Sequence, residues 1–272
     1  MIPLMIGVLI VMAMVMAFGW TAVVRTGNGG WTDVAWTFGT GAVGVACALW
    51  PVPGEHSDQR QLLVALLVGI WALRLGSYIA IRVARGAEDV RYTRLRELWG
   101  AKFESRMFGF LLAQAPATLL LCLSIRAAAA RPLAGLEATD FIGLAILAVA
   151  ILGEALADRQ MHAFKRDPSH KGKVADTGLW AWSRHPNYFF EWFGWLAYPV
   201  IALDLAGGYP TGWLALIAPV LMYLLLTRVT GVPALESAMV ASKGEAYRDY
   251  QRRVAAFFPW PPKARTHRSE AA

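Results

Sequence analysis

The chain has 272 residues, of which 57% are hydrophobic and only 17% are charged, against about a quarter in soluble domains. Its two cysteines, Cys47 and Cys122, both lie in apolar runs, which excludes a disulfide framework and a cysteine-rich zinc site. The apolar surplus exceeds what one globular core buries, so the composition predicts an all-α integral membrane protein with lipid as its solvent.

Seven apolar segments predict seven transmembrane helices, since each of them approaches the length that crosses about 30 Å of hydrocarbon at 1.5 Å per residue. The first has no basic region before it and is predicted to be a retained helix, not a cleaved signal peptide. Pro199 is expected to interrupt the sixth. One membrane-embedded domain is predicted over residues 1–262, with a disordered tail over 263–272. The predicted spans cover residues 2–24, 31–50, 62–83, 107–125, 138–156, 188–206 and 212–227.

The basic residues are distributed unevenly between the loops. Seven crossings put the first, third and fifth loops and the C-terminus on one side, which carries 21 of the 26 Lys and Arg residues, against three on the other. Basic loops mark the cytoplasmic side, so the N-terminus is predicted outside and the C-terminus inside. The net charge of +7 therefore indicates anionic lipid headgroups and a cytosolic anionic ligand as partners, and no nucleic acid.

Several ionisable residues fall inside or beside the predicted spans, where they are costly unless they have a role. Arg74, Tyr78 and Arg82 share one helix face; Arg82 is expected to snorkel to the interface, whereas Arg74 lies two turns deeper, inside the bundle. Glu154 and Asp158 also share a face. They suit acid–base chemistry, a cation, pairing with Arg74, or hydrogen bonds to ribose hydroxyls.

Asp33, assigned to the extracellular start of the second span, is interpreted either as an interfacial cap or as an inward-facing acid.

The densest polar cluster is WSRHPNYFFE, residues 182–191. Pro186 fits the first turn of a helix, on which Asn187 and Glu191 lie one turn apart, with Arg184 and His185 just before it. Such a helix start suits a phosphate group. The alternative is an Arg/His/Tyr collar at the lipid headgroups, which does not account for Glu191 among Phe, Trp and Gly residues.

The sequence contains no Walker motif, and its GxGxxG string, GTGAVG at residues 39–44, lies inside the predicted second span and not after a strand, so any nucleotide is expected in a membrane-embedded pocket. The five histidines show no paired spacing on a common face, and no metal site is predicted.

Three blocks of the sequence carry a resemblance to a known family: residues 71–100 (WALRLGSYIAIRVARGAEDVRYTRLRELWG), 158–191 (ending DTGLWAWSRHPNYFFE) and 231–262 (GVPALESAMVASKGEAYRDYQRRVAAFFPWPP). They resemble the bacterial steroid 5-alpha reductase family enzymes, a group formerly described as a domain of unknown function (DUF1295) and related to 3-oxo-5-alpha-steroid 4-dehydrogenases. The shorter RHPxY element is also found in isoprenylcysteine carboxyl methyltransferases, which use S-adenosylmethionine in a related membrane fold.

The resemblance implies a seven-helix bundle in the bacterial inner membrane, with NADPH in a cytoplasmic cavity and a lipid-like substrate entering from the membrane. Asn187 and Glu191 match the family pair near the nicotinamide, Asp158 and Lys165 match an acid and a base that bind the nucleotide, and Arg74 resembles an arginine that contacts cofactor phosphate. The further residues expected at the cofactor are Arg85, Arg91, Arg166, Arg184, His185, Tyr188 and Arg228.

The eukaryotic steroid reductases polarise the substrate ketone with a Glu of the second helix and a Tyr of the third. This chain offers Asp33 and Tyr78, neither of which falls cleanly on the family position. Together with Glu191 they are the expected catalytic residues, and whether Asp33 or Tyr78 contacts the substrate stays open.

The expected reaction is the NADPH-dependent reduction of an activated C=C bond in a 3-oxo-Δ4-steroid or another lipid enone. An acid within hydrogen-bond reach of the carbonyl would stabilise the developing enolate. The alternatives are an S-adenosylmethionine-dependent methyltransferase of a lipid or prenylated substrate and a lipid transporter or scaffold without enzymatic activity. The sequence leaves the physiological substrate and the oligomeric state open.

Overall fold

The computed structural model describes residues 1–86, 88–204 and 207–264, and within these ranges the chain is helical, with no β-strand. Residues 205 and 206 of the predicted sixth span and residues 265–272 of the predicted disordered tail lie outside the described residues. The α-helices are α1 (Ile2–Thr26), α2 (Trp31–Leu49), α3 (Asp58–Ala84), α4 (Val90–Trp99), α5 (Phe103–Leu112), α6 (Gln114–Ala129), α7 (Ala138–Arg166), α8 (Pro186–Trp195), α9 (Ala197–Ala202), α10 (Ile217–Leu224), α11 (Val232–Lys243) and α12 (Glu245–Arg253).

Five helical stretches in the described part of the chain are long and apolar enough to cross a membrane, which identifies a multi-pass membrane protein. Each of them contains one of the predicted spans. The stretches are Ile2–Thr26, Asp58–Ala84, Val90–Ala129, Ala138–Arg166 and Pro210–Lys243.

The other two predicted spans are less regular. The second is a helix of 19 residues, α2, whose polarity is raised by its threonines, its glycines and Asp33. The sixth is divided between α8 and α9, with the break at Leu196, three residues before Pro199. Proline blocks a helix at the turn that precedes it, because its ring clashes with the carbonyl of residue i−4 and it has no N–H to donate.

The described chain forms two compact units. The first unit comprises Met1–Ala148 and Trp195–Met222, and the second comprises Val149–Gly194 and the chain from Tyr223 onward. The expectation of a single domain over residues 1–262 stays a prediction.

Small residues bring α2 and α3 of the first unit into close contact. A Cβ added at Gly41 would collide with Ala72, and one added at Gly44 would lie 2.8 Å from Val68 Cγ1. Small residues are the usual means of close helix packing in lipid, where the solvent supplies no hydrophobic driving force between helices.

A fully buried ion pair joins the start of α3 to the start of α7 in the first unit. Arg60 Nε and Nη2 donate to the two carboxylate oxygens of Asp140 at 2.8 and 2.9 Å, and both side chains are 0% exposed. The remaining guanidinium donors reach the carbonyl oxygens of Leu133 and Gly135, each at 2.8 Å, and of Arg131 at 3.4 Å. All five N–H groups therefore have acceptors, which offsets the cost of burying the charge.

Two more buried polar side chains cap the C-terminal end of α2, where helix carbonyls have no intrahelical partner. Arg126 donates to the carbonyl oxygens of Trp50 at 2.5 Å and Pro51 at 2.9 Å. Gln61 donates to the carbonyl oxygens of Ala48 and Trp50, both at 2.9 Å. The basic side chains of Arg60 and Arg126 therefore donate hydrogen bonds to polar groups inside the first unit.

In the second unit, the chain after α12 packs against the segment that leads into α8. Tyr250 donates its hydroxyl to the Trp180 carbonyl oxygen at 2.5 Å, and burial raises the pKa of this phenol above its ordinary value. Rings then interlock around Trp192, which lies edge-on to Phe257 and Phe258 with centroids 5.9 and 5.4 Å away. Aromatic packing and hydrogen bonds therefore fix the C-terminal segment to this unit.

We expect Arg60→Ala to lower the free energy of unfolding by about 3–5 kcal/mol, because it leaves the Asp140 carboxylate buried without its partner. The thermal midpoint of the detergent-solubilised protein measures this loss. The control is Asp58→Ala at the same end of α3, where the carboxylate is 93% exposed and 3.3 Å from His56. Equal midpoints for the two variants would contradict the assigned role of the buried pair.

Candidate functional site

The segment before α8 is held by Arg184. Its Nε donates to Glu236 Oε1 at 2.6 Å, its Nη1 donates to the carbonyl oxygens of Gln251 at 3.1 Å and of Val254, and its backbone N–H donates to the Ala255 carbonyl oxygen at 2.9 Å. A single arginine therefore connects α11, α12 and the segment after α12 to the start of α8. This clamp is built from a rigid guanidinium fork, which a lysine side chain lacks.

Neighbouring residues extend the Arg184 clamp. His185 Nε2 lies 3.2 Å from Glu236 Oε1, and Gln251 Nε2 donates to Glu236 Oε2 at 2.9 Å. Ser183 Oγ donates to the Phe257 carbonyl oxygen at 2.8 Å and accepts the His185 N–H at 3.1 Å. The contacts of Arg184 and His185 described here are to protein groups, whereas the sequence predicted that both bind cofactor.

The Arg184 clamp fixes the first turn of α8, which carries Asn187, Tyr188 and Glu191. Asn187 is partly buried, and Glu191, four residues later on the same face, is 8% exposed. The Tyr188 ring stacks on His185 with centroids 5.7 Å apart. The predicted Asn–Glu pair therefore lies on a helix whose start is held by the protein itself.

The second part of α7 carries two buried acids. Glu154 and Asp158 are 6% and 8% exposed, one turn apart on one face. Lys165 follows Asp158 seven residues later, two turns and about 10 Å along the same face. The structure thus places the predicted acid and base of the nucleotide site on one helix face of the second unit.

A cavity of about 370 Å³ lies at the C-terminal end of α7 and is called the basic pocket below. Phe164 and His170 form one wall, with their rings stacked at 4.4 Å and 8°. Five cationic side chains line the pocket, against one acid, Asp167. The cations are Lys165, Arg166, Lys171, Lys173 and Lys243.

Only Lys165 and Arg166 of the basic pocket were predicted from the sequence. Lys171 and Lys173 belong to the loop after α7, and Lys243 ends α11 more than 70 residues later. The density of basic residues in this loop could have indicated Lys171 and Lys173 from the sequence. No sequence pattern indicates that Lys243 of α11 lies beside them. Arg228, also predicted at the cofactor, is exposed within the π-helical turn Leu225–Val229.

In the first unit, Asp33 is held by two donors. Arg91 Nη2 donates to its Oδ2 at 2.7 Å, and the buried Tyr92 hydroxyl donates to its Oδ1 at 2.6 Å. Asp33 and Arg91 therefore lie at the same end of the first unit, so the extracellular position assigned to Asp33 does not agree with the cytoplasmic position assigned to the loop that carries Arg91. Both positions stay predictions.

Arg91 and Arg82 also bind Asp89, which caps α4. Asp89 Oδ1 accepts from Arg91 N at 3.0 Å and Nε at 2.9 Å, and Arg82 Nη2 lies 3.4 Å from its Oδ2. Burial alone raises the pKa of Asp89, but the charge and hydrogen bonds of Arg91 hold it below its ordinary value. Arg91, predicted at the cofactor, therefore bridges Asp33 and Asp89, two acids that the protein itself supplies.

The remaining predicted residues of the first unit lie on or just after α3. The Arg74 guanidinium carbon lies 5.6 Å from the centroid of the Tyr78 ring, and both residues are partly buried. Arg85 is exposed directly after α3. Arg74 and Tyr78 therefore share one face of α3, as predicted, and form a cation–π pair on it.

The described residues contain no group of three or more His, Cys, Asp or Glu side chains placed to hold a metal ion.

Residues 19–254 match the family described as "Protein of unknown function (DUF1295)", and the chain belongs to this family. It is also 28% identical, over 276 aligned positions, to a Schizosaccharomyces pombe protein described as uncharacterized. That alignment covers 86% of this chain and 76% of the yeast protein. No solved structure matches the chain.

We expect Arg184→Lys to speed amide hydrogen exchange across residues 251–257, because lysine cannot replace the guanidinium fork that holds these carbonyls. Exchange monitored by mass spectrometry measures this change. Arg252→Lys is the matched control, since Arg252 is 59% exposed and binds the surface acids Glu245 and Asp249. Unchanged exchange in Arg184→Lys would show that the clamp does not hold the segment.

Proposed function

We propose that this protein is an NADPH-dependent reductase of an activated C=C bond in a hydrophobic substrate, such as a 3-oxo-Δ4-steroid or another lipid enone. The observation that carries the proposal is the face of α7 on which buried Asp158 precedes Lys165 by two turns, next to the basic pocket. The Asp158 carboxylate would accept hydrogen bonds from ribose hydroxyls, and the cations that follow it would bind phosphate. This order matches the order of groups along a nucleotide.

The residues present fit a phosphorylated dinucleotide. Asp158 would accept from ribose hydroxyls, and Lys165 and Arg166 would balance phosphate charge. Asn187 offers both an amide donor and an acceptor to the carboxamide of the nicotinamide. When bound, NADPH supplies the hydride, and the protein supplies position, dryness and charge.

The carbonyl of the substrate requires a donor that stabilises the developing enolate. Glu191 is a buried acid on α8, and Tyr78 is a partly buried phenol on α3. Asp33 is already held by Arg91 and Tyr92, which favours a role in positioning α4 over contact with substrate. We therefore assign proton donation to Glu191 or Tyr78 and keep Asp33 as a positioning residue.

We propose seven crossings, with the N-terminus outside, the C-terminus inside and the cofactor cavity on the cytoplasmic side. The hydrogen bond between Asp33 and Arg91 supports the part of this arrangement that has α2 and α3 both cross, since two crossings bring the chain back to the side from which α2 starts. The sixth span is divided into α8 and α9. Such a break is tolerated in a membrane crossing where the freed backbone groups are buried in protein or line a cavity. The bacterial inner membrane stays a prediction.

The basic pocket also bears on the alternatives. S-adenosylmethionine carries no phosphate, so the lysines favour a phosphorylated cofactor over the methyltransferase hypothesis. A transporter or scaffold would show no nucleotide affinity. Thermal shift of the purified protein with NADPH, NADH and S-adenosylmethionine separates the three hypotheses: specific stabilisation by NADPH supports the reductase, and stabilisation by S-adenosylmethionine alone supports the methyltransferase.

We expect Asn187→Ala to reduce NADPH-dependent turnover of a lipid enone by roughly 100-fold, the effect of removing one positioned hydrogen-bonding group from an active site. Expression and thermal midpoint should stay close to those of the wild type. Ser237→Ala is the control, because Ser237 is an exposed side chain of the same unit that bonds only to its own helix at 2.8 Å. Full turnover in Asn187→Ala would remove Asn187 from the site.

A further inference from the structure

The cations of the basic pocket come from three separate parts of the second unit. Lys165 and Arg166 end α7, Lys171 and Lys173 lie in the following loop, and Lys243 ends α11. The Lys243 ammonium donates to the backbone carbonyl of Lys173, which joins α11 to the loop. The positive charge therefore converges on one cavity from several directions.

Within the described residues, the acid at this pocket forms no direct ion pair with the loop lysines, although the Lys173 charge acts on it at longer range. Asp167 accepts the Ser169 N–H at 2.8 Å and lies 3.8 Å from His170 Nδ1. Across residues 1–86, 88–204 and 207–264, neither Lys171 nor Lys173 forms an ion pair. The loop thus brings two exposed ammonium groups to a cavity that already holds Lys165 and Arg166.

We propose that the basic pocket binds a phosphate monoester, with Lys171 and Lys173 as its principal ligands. A monoester carries a charge between −1.5 and −2 at neutral pH, roughly matched by two lysines. The cavity of about 370 Å³ is at the small end of ligand sites. Met161, Met239 and the stacked Phe164 provide an apolar wall for the body that carries the phosphate.

Two sources present this chemistry. One is the 2′-phosphate of NADPH, and this arm rests on the proposed function. The other is the headgroup of an anionic phospholipid such as phosphatidic acid. At 29 residues, α7 is about 43 Å long, so its last turns extend beyond about 30 Å of hydrocarbon, within reach of both sources.

The test compares the wild type with Lys171→Gln/Lys173→Gln. The probes are 2′-AMP, adenosine, NADPH, and lipid nanodiscs with and without phosphatidic acid. The wild type should prefer 2′-AMP over adenosine, or nanodiscs with phosphatidic acid over those without it. The double variant should bind the preferred probe at least about tenfold more weakly, since each charged hydrogen bond contributes more than a neutral one.

The charge-matched control is Arg248→Gln/Lys263→Gln, which removes two exposed cations of the second unit outside the pocket. A loss confined to the pocket variant supports the proposal, and the probe that shows the loss identifies the source. Equal losses in both variants, or no phosphomonoester preference in the wild type, overturn it.

The same data separate the two proposals. NADPH that binds wild type and pocket variant equally, with no lysine-dependent binding of phosphatidic acid, overturns the phosphate pocket and leaves the reductase proposal standing. Lysine-dependent binding of phosphatidic acid without NADPH affinity supports the pocket and removes the reductase proposal.

Discussion

A polar group inside this apolar chain must find its partner within the protein, and that constraint organises both units. Arg60 satisfies all five of its donors on Asp140 and three carbonyl oxygens, and Arg126 closes the end of α2. Both side chains are buried away from water, so removing one partner is more costly than at an exposed surface. The first unit is thus a helical frame in which Arg60 and Arg126 bind internal acceptors at the helix ends.

In the second unit, internal partners of the same kind hold the residues of the candidate site in place. Arg184 and Glu236 connect α8 to the C-terminal segment, so the turn that carries Asn187 is held by charge and aromatic packing together. Asp158 remains buried on α7, and the cations lie at the end of that helix. Acid and base are therefore ordered along one helix, and the proposed nucleotide site rests on this order.

The sequence predicted the helical membrane class and the positions of the long spans well, because hydropathy over 20 residues is a strong signal. The face shared by Arg74 and Tyr78 was predicted by spacing and is confirmed, whereas the nucleotide-binding role of Asp158 and Lys165, predicted by resemblance, stays a prediction. The sequence did not reveal Tyr92 as the partner of Asp33, or Glu236 as the partner of Arg184. These pairs are 59 and 52 residues apart, and no local period records which distant side chains meet.

Transfer of deuterium from NADPH labelled at C4 of the nicotinamide tests the central claim most directly. The purified protein is incubated with the labelled cofactor and a lipid enone, and the reduced product is analysed by mass spectrometry. The reductase proposal predicts one deuterium at the β-carbon of the saturated product, from one face of the nicotinamide. A product without deuterium from either labelled face, or no turnover of enones by a protein that binds NADPH, would contradict it.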